Sequence, residues 1–124
     1  MTKIKPIAEA RKSIVETIAE TIVAANPRFF LATGLELARL YQEFAQICMI
    51  QGRTDVAQDC RRAAETLLQR VLATEPANYR ALRALGYLKE QSGDVAGAVF
   101  EYQRSLQAYP QQPDLESRVA ALTK

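Results

Sequence analysis

The side chains that most often carry protein chemistry are sparse in this sequence. The 124 residues include two cysteines, Cys48 and Cys60, and no histidine. Because histidine is the commonest general base and metal ligand, neither a zinc site nor a cysteine–histidine nucleophile is expected. The five glycines are scattered and form no phosphate-binding loop. We therefore expect no catalysis, no metal and no cofactor.

The two cysteines allow two interpretations. Cys48 and Cys60 lie on either side of Gly52, where a turn would let them approach each other and act as a redox switch. Alternatively, thiols inside helical patterns are small buried hydrophobic residues of a protein kept in a reducing compartment. We favour this second interpretation.

A second chemically capable set is polar and lies on one side of a predicted helix over 79–91. Opposite its leucines lie five residues: Arg80, Arg83, Tyr87, Glu90 and Gln91. The residues 41 positions earlier are Arg39, Gln42, Gln46, Met49 and Ile50. Arginine beside glutamine and tyrosine can bind an acidic segment or a terminal carboxylate through charge-assisted hydrogen bonds. A solvated helix face is the alternative interpretation of each residue.

Hydrophobic periodicity predicts that helices position all of these residues. The predicted elements are an N-terminal helix over 6–25, helical pairs over 28–74 and 77–110, and a capping helix over 113–123. Gly52 and Gly93 suit the turns inside the two pairs, since glycine readily takes the left-handed conformation that ends a helix. Neither member of a pair can bury its apolar face alone, so each pair needs neighbours.

The second pair carries the marks of a known family. The relevant residues are Leu85-Gly86, Gly93-Asp94, Ala98, Tyr102, Ser105-Leu106 and Pro110. They stand where the tetratricopeptide repeat places its signature residues, so the chain resembles that family, most clearly over 79–112 and in divergent form over 35–76. The resemblance implies an all-α, right-handed array of helical hairpins, with about two repeats between N-terminal and C-terminal capping helices. It implies a scaffold that binds proteins.

The spacing between the two repeats contains one irregularity. Gly52 lies 41 residues before Gly93, whereas Pro76 lies 34 residues before Pro110. About 34 residues is the usual period of such repeats. Seven extra residues have therefore entered the second helix of the earlier repeat, between Ala57 and Leu72. Seven residues are nearly two turns, which lengthens that helix by roughly 10 Å and keeps its apolar face in phase.

In the tetratricopeptide family, the first helices of successive repeats line a concave groove. The resemblance therefore assigns a peptide groove to Arg39, Gln42, Gln46, Met49, Arg80, Arg83 and Tyr87. The implied function is non-catalytic: the chain would bind a partner segment as an adaptor, assembly factor or chaperone. We expect that segment to be acidic or rich in amides.

Self-association is one alternative. Phe29, Phe30 and Phe100 place aromatic surface where a closed monomer does not need it. The predicted N-terminal helix adds an isoleucine stripe of Ile7, Ile14, Ile18 and Ile22. So short an array is poorly covered, so these surfaces are expected either to pack against the terminal helices of the same chain or to form a homo-oligomer through the terminal helices and exposed aromatic residues.

Composition disfavours the remaining classes. The formal net charge is +2 and acids are interleaved with the basic residues, so a nucleic-acid-binding helical domain is the weakest alternative. Charged residues interrupt the N-terminus, and no stretch is apolar enough to be a signal peptide or a membrane span. We expect one cytoplasmic domain over 1–124.

Overall fold

A computed structural model describes residues 9–11, 14, 17 and 27–124, the side chains of 27–32 excepted. Five helices follow in order: α1 (Pro27–Ile50), α2 (Thr54–Thr74), α3 (Tyr79–Gln91), α4 (Val95–Ala108) and α5 (Pro113–Leu122). Residues 9–11, 14 and 17 are also helical, and no strand occurs among the described residues. The predicted all-α fold is confirmed.

Two of the predictions fall largely outside what is described. The N-terminal helix over 6–25 lies outside the described residues apart from residues 9–11, 14 and 17. Phe29 and Phe30 belong to α1, but their side chains are outside the described part of the structure.

The chain forms two compact units, residues Met1–Leu67 and Leu68–Lys124. In the first unit, the buried apolar residues lie on one side of α1 and on one side of α2. They are Leu37, Ala38, Tyr41, Ala45, Cys48, Val56, Ala57, Cys60, Ala64 and Leu67. Each set recurs at the three- and four-residue spacing of an amphipathic helix. The single domain predicted over 1–124 stays a prediction.

In the second unit, α4 packs against both α3 and α5. Gly86 permits a close approach of α3 to α4, because a Cβ atom there would lie 2.6 Å from the Cδ1 and Cε1 atoms of Tyr102. On α4, Ala98 and Tyr102 form a buried cluster with Leu115 of α5. The predicted leucine stripe of α3 is buried as well, at Leu82, Leu85 and Leu88.

The same turn ends α1 and α3. Gly52 and Gly93 have φ values of +74° and +90°, which glycine adopts without steric cost. The N–H of Arg53 donates to the carbonyl of Cys48 at 2.7 Å, and that of Asp94 donates to Lys89 at 2.9 Å. These bonds close the Schellman motif that lets a helix stop sharply. Each turn is thereby fixed by one glycine.

The irregular spacing between the repeats resides in α2. This helix has 21 residues, whereas α4, its counterpart in the second pair, has 14. The difference of seven residues is the insertion predicted from the spacing of Gly52, Gly93, Pro76 and Pro110. The chain therefore accommodates the insertion as continuous helix.

Filling the contact at Gly86 should destabilise the second unit. In Gly86→Leu the new side chain meets the ring of Tyr102 and the Ala98 carbonyl oxygen, which lies 3.2 Å from the position that a Cβ atom would take. We expect a loss of about 1–3 kcal/mol or more in the free energy of unfolding. Urea denaturation measures it, with Ala96→Leu at an exposed site of α4 as the control. Equal midpoints for both variants would contradict the close packing of α3 on α4.

Candidate protein-binding surface

Arg83, predicted to line a peptide groove, instead joins two helices. Its guanidinium forms an ion pair with Asp114 in the first turn of α5. One of its nitrogens also donates to the side-chain oxygen of Gln112 at 3.1 Å. The hydrogen bond from Arg83 is the main cause that lowers the pKa of the Asp114 carboxyl. Arg83 therefore helps to hold α5 on α3.

Gln112 extends this connection into α4. Its buried amide nitrogen donates to the carbonyl oxygen of Tyr109 at 2.8 Å and to that of Ser105 at 3.1 Å. The Ser105 hydroxyl in turn donates to the carbonyl of Tyr79 at 2.9 Å. These bonds satisfy backbone groups near the C-terminus of α4 and the N-terminus of α3. The start of α5 is thus fixed to both preceding helices.

Glu90 makes a second connection further along α3. Its carboxylate accepts hydrogen bonds from the Tyr102 hydroxyl at 2.9 Å and from Arg118 of α5. Burial raises the pKa of Tyr102, so the hydroxyl keeps the proton that it donates. Two charged positions on the predicted groove side of α3, Arg83 and Glu90, are thus engaged by α5.

The remaining α3 residues of the predicted groove differ in exposure. Arg80 is exposed, and its guanidinium carbon lies 5.9 Å from the centroid of the Tyr79 ring. Tyr79 stacks on Tyr109 with ring centroids 4.6 Å apart. Tyr87 is half-buried. Arg80 is therefore the member of this set whose charge is not taken up by another helix.

In the first unit, Arg39 pairs with carboxylates of its own helix. Glu36 and Glu43, one turn before and after it, both accept hydrogen bonds from its guanidinium. The bond from Arg39 is the main cause that lowers the pKa of Glu36. Two carboxylates around one guanidinium leave this side of α1 with a net negative charge.

The predicted groove residues are therefore distributed over both compact units. Arg39, Gln42, Gln46 and Met49 belong to the first unit, and Arg80, Arg83 and Tyr87 belong to the second. Gln42 is half-buried, while Gln46 and Met49 are exposed. Because Arg39 and Arg83 already bind carboxylates of this chain, a partner's acidic group would have to displace them. Their assignment to a peptide groove stays a prediction.

The exposed surface of α1 carries large apolar side chains. Leu40 is 45% exposed and Ile47 is 51% exposed, and Phe44 between them is half-buried. Their spacing of four and three residues places them in one row along the helix. We call this row, Leu40, Phe44 and Ile47, the α1 strip. Ile50 continues the apolar surface at the end of the helix, where it is 86% exposed.

The corresponding row on α3 is buried, and that on α5 is buried at Leu115 and partly buried at its other two positions. The offset of 41 residues between Gly52 and Gly93 aligns the α1 strip with Ala81, Leu85 and Leu88, all of them buried. The 34-residue step from the start of α3 to that of α5 matches it further to Leu115, Val119 and Leu122. On α5 this row packs against the cluster of Ala98 and Tyr102 on α4. The α1 strip is thus the exposed member of three equivalent apolar rows.

Sequence reasoning missed the α1 strip. Leu40 and Ile47 are ordinary apolar residues in a helix that is apolar on several sides. The signal that would have found them is the register itself, which pairs Leu40 with Leu115 and Ile47 with Leu122. Applying both repeat offsets together would have identified the row before its exposure was known.

Glu101 was also missed. Its side chain is buried on α4 and accepts hydrogen bonds from Lys89 and Arg104, each at 3.0 Å. Arg104 lies over the ring of Phe100, 5.7 Å from its centroid. Phe100 is 58% exposed. Its predicted exposure is therefore confirmed, whereas its use in self-association stays a prediction.

Both cysteines are free and buried. Burial is the main cause that raises the pKa of Cys48, which keeps its thiol protonated and poorly reactive. The predicted burial of Cys48 and Cys60 is confirmed. Among the described residues, no group of three or more histidine, cysteine, aspartate or glutamate side chains could hold a metal ion. None of the helices described here combines the length and apolar character needed to cross a membrane.

No protein-family model matches this chain, and no curated protein is similar enough in sequence to match it. The tetratricopeptide resemblance therefore depends on the residues of the chain itself, above all Gly86, Gly93, Ala98 and Tyr102.

Removing the guanidinium of Arg83 should loosen α5. Arg83→Ala loses the contacts to Gln112 and Asp114, so we expect a lower urea midpoint and faster hydrogen exchange in α5. A carboxylate whose pKa is lowered by folding stabilises the protein above its unfolded pKa of about 4, and this stabilisation is lost as the pH falls through the lowered value. The difference between wild type and variant should therefore be larger at pH 7 than at about pH 2.5.

The matched control for this prediction is Arg80→Ala. Arg80 is exposed and lies over Tyr79 of its own helix, so it joins no two helices. Its removal should therefore change stability little at either pH. Equal effects of the two substitutions would contradict the bridging role of Arg83.

Proposed function

We propose that this chain is a non-catalytic protein-binding module of tetratricopeptide-like build, and that it uses the α1 strip to bind a helix of its partner. One observation carries the proposal: Leu40 and Ile47 are about half exposed, whereas the matching residues Ala81 and Leu88 are buried. Large apolar side chains in a row on a protein surface are typical of a binding site. Adaptor, assembly factor and chaperone are all roles that such a module can fill.

The tetratricopeptide-like build has support in three features of the second unit and its turns. The starts of α3 and α5 are 34 residues apart, at Tyr79 and Pro113. Schellman motifs end the first helix of each pair. Tyr102 fills the space that Gly86 leaves open. Each feature is compatible with a stacked array of helical hairpins, and a step of about 34 residues is typical of one.

The cover of the equivalent row on α5 indicates what kind of partner fits. Leu115, Val119 and Leu122 pack against α4, an amphipathic helix that presents Ala98, Tyr102 and Leu106 to them. A row with the same spacing on α1 should accept a helix of the same character, which is the helix-in-groove mode of recognition. The partner is therefore best sought among segments with apolar residues at three- and four-residue spacing.

The charges beside the strip favour a basic flank on that helix. Glu36 and Glu43 lie one turn from Leu40 in the two directions, and Arg39 pairs with both. Their net negative charge suits lysine or arginine on the partner. The acidic or amide-rich partner expected from the sequence would bind the arginines. Arg39 and Arg83, however, already pair with carboxylates of this chain. The strip therefore carries the proposal better than the arginines do.

The size of the strip implies modest affinity. Burying a leucine or isoleucine side chain completely contributes about 1.5–3 kcal/mol, and Leu40 and Ile47 are already half covered. Association also costs translational and rotational freedom. We expect a dissociation constant on the order of micromolar.

Photo-cross-linking in cells that produce the protein tests this site. A benzoylphenylalanine at position 47 should form covalent adducts with a protein, because the strip is covered when the partner is bound. The same residue at position 58, exposed on α2, is the control, and position 100 reports on the rival surface around Phe100. The α1 strip is excluded as the binding site if position 47 yields no more adducts than position 58.

A further inference from the structure

The first unit leaves a second apolar side chain uncovered. Ile14 is helical and 59% exposed. In the sequence it belongs to the isoleucine stripe with Ile7, Ile18 and Ile22. Of these four, Ile14 is the one that the structure describes, and exposing a large apolar side chain to water is unfavourable. The described part of the unit therefore leaves two apolar features uncovered, Ile14 and the α1 strip.

The sequence around Ile14 shares part of the spacing of the α1 strip. Ile14 and Ile18 are four residues apart, as are Leu40 and Phe44. In that alignment Thr21 stands where the strip has Ile47, so the two sequences agree at two of the three positions.

The charges beside Ile14 and beside the α1 strip are complementary. Arg11 is helical and exposed, and it lies three residues before Ile14 on the same side of the helix. The α1 strip is bordered by Glu36 and Glu43, which share the single positive charge of Arg39. The excess carboxylate can accept an ion pair from Arg11. Arg11 thus supplies, on the Ile14 side of the segment, the basic residue that the strip favours.

We propose that the partner on the α1 strip is the isoleucine-bearing segment of a second copy of this chain. This inference rests on the proposed function and names the occupant of the same site. Ile14 and Ile47 are exposed in the same structure, so the chain leaves its strip open to another molecule. A two-fold symmetric dimer covers Ile14 and the α1 strip of both copies with one repeated contact. Self-association then depends on Ile14 and the α1 strip, and not on Phe100.

Sedimentation equilibrium of single variants tests the dimer. We expect the wild type to dimerise at about 10–100 µM and Ile14→Glu or Ile47→Glu to raise the dissociation constant about tenfold or more. Phe100→Glu is the matched control, since Phe100 is as exposed as Ile14. It should dimerise like the wild type. Circular dichroism of each variant reports whether the helices are retained.

Mixing the two variants separates the proposed contact from a general loss of structure. An Ile14→Glu chain keeps an intact strip, and an Ile47→Glu chain keeps an intact isoleucine segment. Each alone should be monomeric, but the mixture should form a heterodimer through the one contact that both halves still supply. As a test confined to charge, Arg11→Glu should weaken the wild-type dimer, and Glu43→Arg added to it should restore association.

The outcomes distinguish this inference from the proposed function. A wild type that stays monomeric at about 1 mM, together with adducts of another protein at position 47, would leave the function standing and overturn the self-association. A dimer that Phe100→Glu disrupts and Ile47→Glu does not would overturn it in favour of α4. Absence of both the dimer and the adducts would remove both proposals.

Discussion

The structure depends on one constraint: a helix with an apolar row on each of two sides must have a neighbour on each side. Helix α4 has a neighbour on both sides. Its Tyr102 packs over Gly86 of α3, and its Ala98 and Tyr102 pack against Leu115 of α5. Helix α5 has one apolar row, which packs on α4, and it carries polar residues elsewhere, with Glu116 and Ser117 exposed. Helix α1 does not meet the constraint, since Leu40 and Ile47 are left half in water. Function is proposed at the position where this requirement is unmet.

The charged residues stabilise the joints between helices. Arg83 and Glu90 bind Asp114 and Arg118, so polar contacts hold the α5 helix in register on α3. Exposed ion pairs contribute little energy individually, yet they favour one geometry over others. Glu101 is different, because its carboxylate is buried and would be costly without Lys89 and Arg104. Three charged residues that the sequence placed on a partner-binding face, Arg39, Arg83 and Glu90, therefore form ion pairs within this chain.

Local signals in the sequence were sufficient for much of this fold. Gly52 and Gly93 end helices because of their own backbone freedom, and Gly86 is small because a helix crosses it, so each could be recognised from its type and spacing. The partner of Arg83 could not be foreseen, since Asp114 lies 31 residues away and many exposed acids are equally suitable. Leu40 and Ile47 were missed for a related reason. Periodicity identifies an apolar row, but it does not tell whether a neighbour covers it.

The central claim is that the α1 strip is covered by the isoleucine segment of another copy. Isotope-filtered NOE spectroscopy on a mixture of labelled and unlabelled protein tests it directly, because it detects contacts between copies and excludes those within one. The account predicts intermolecular NOEs from the Ile14 methyl groups to the methyl groups of Leu40 and Ile47. Strip contacts that arise solely within a single copy, or intermolecular NOEs confined to the ring of Phe100, would contradict it.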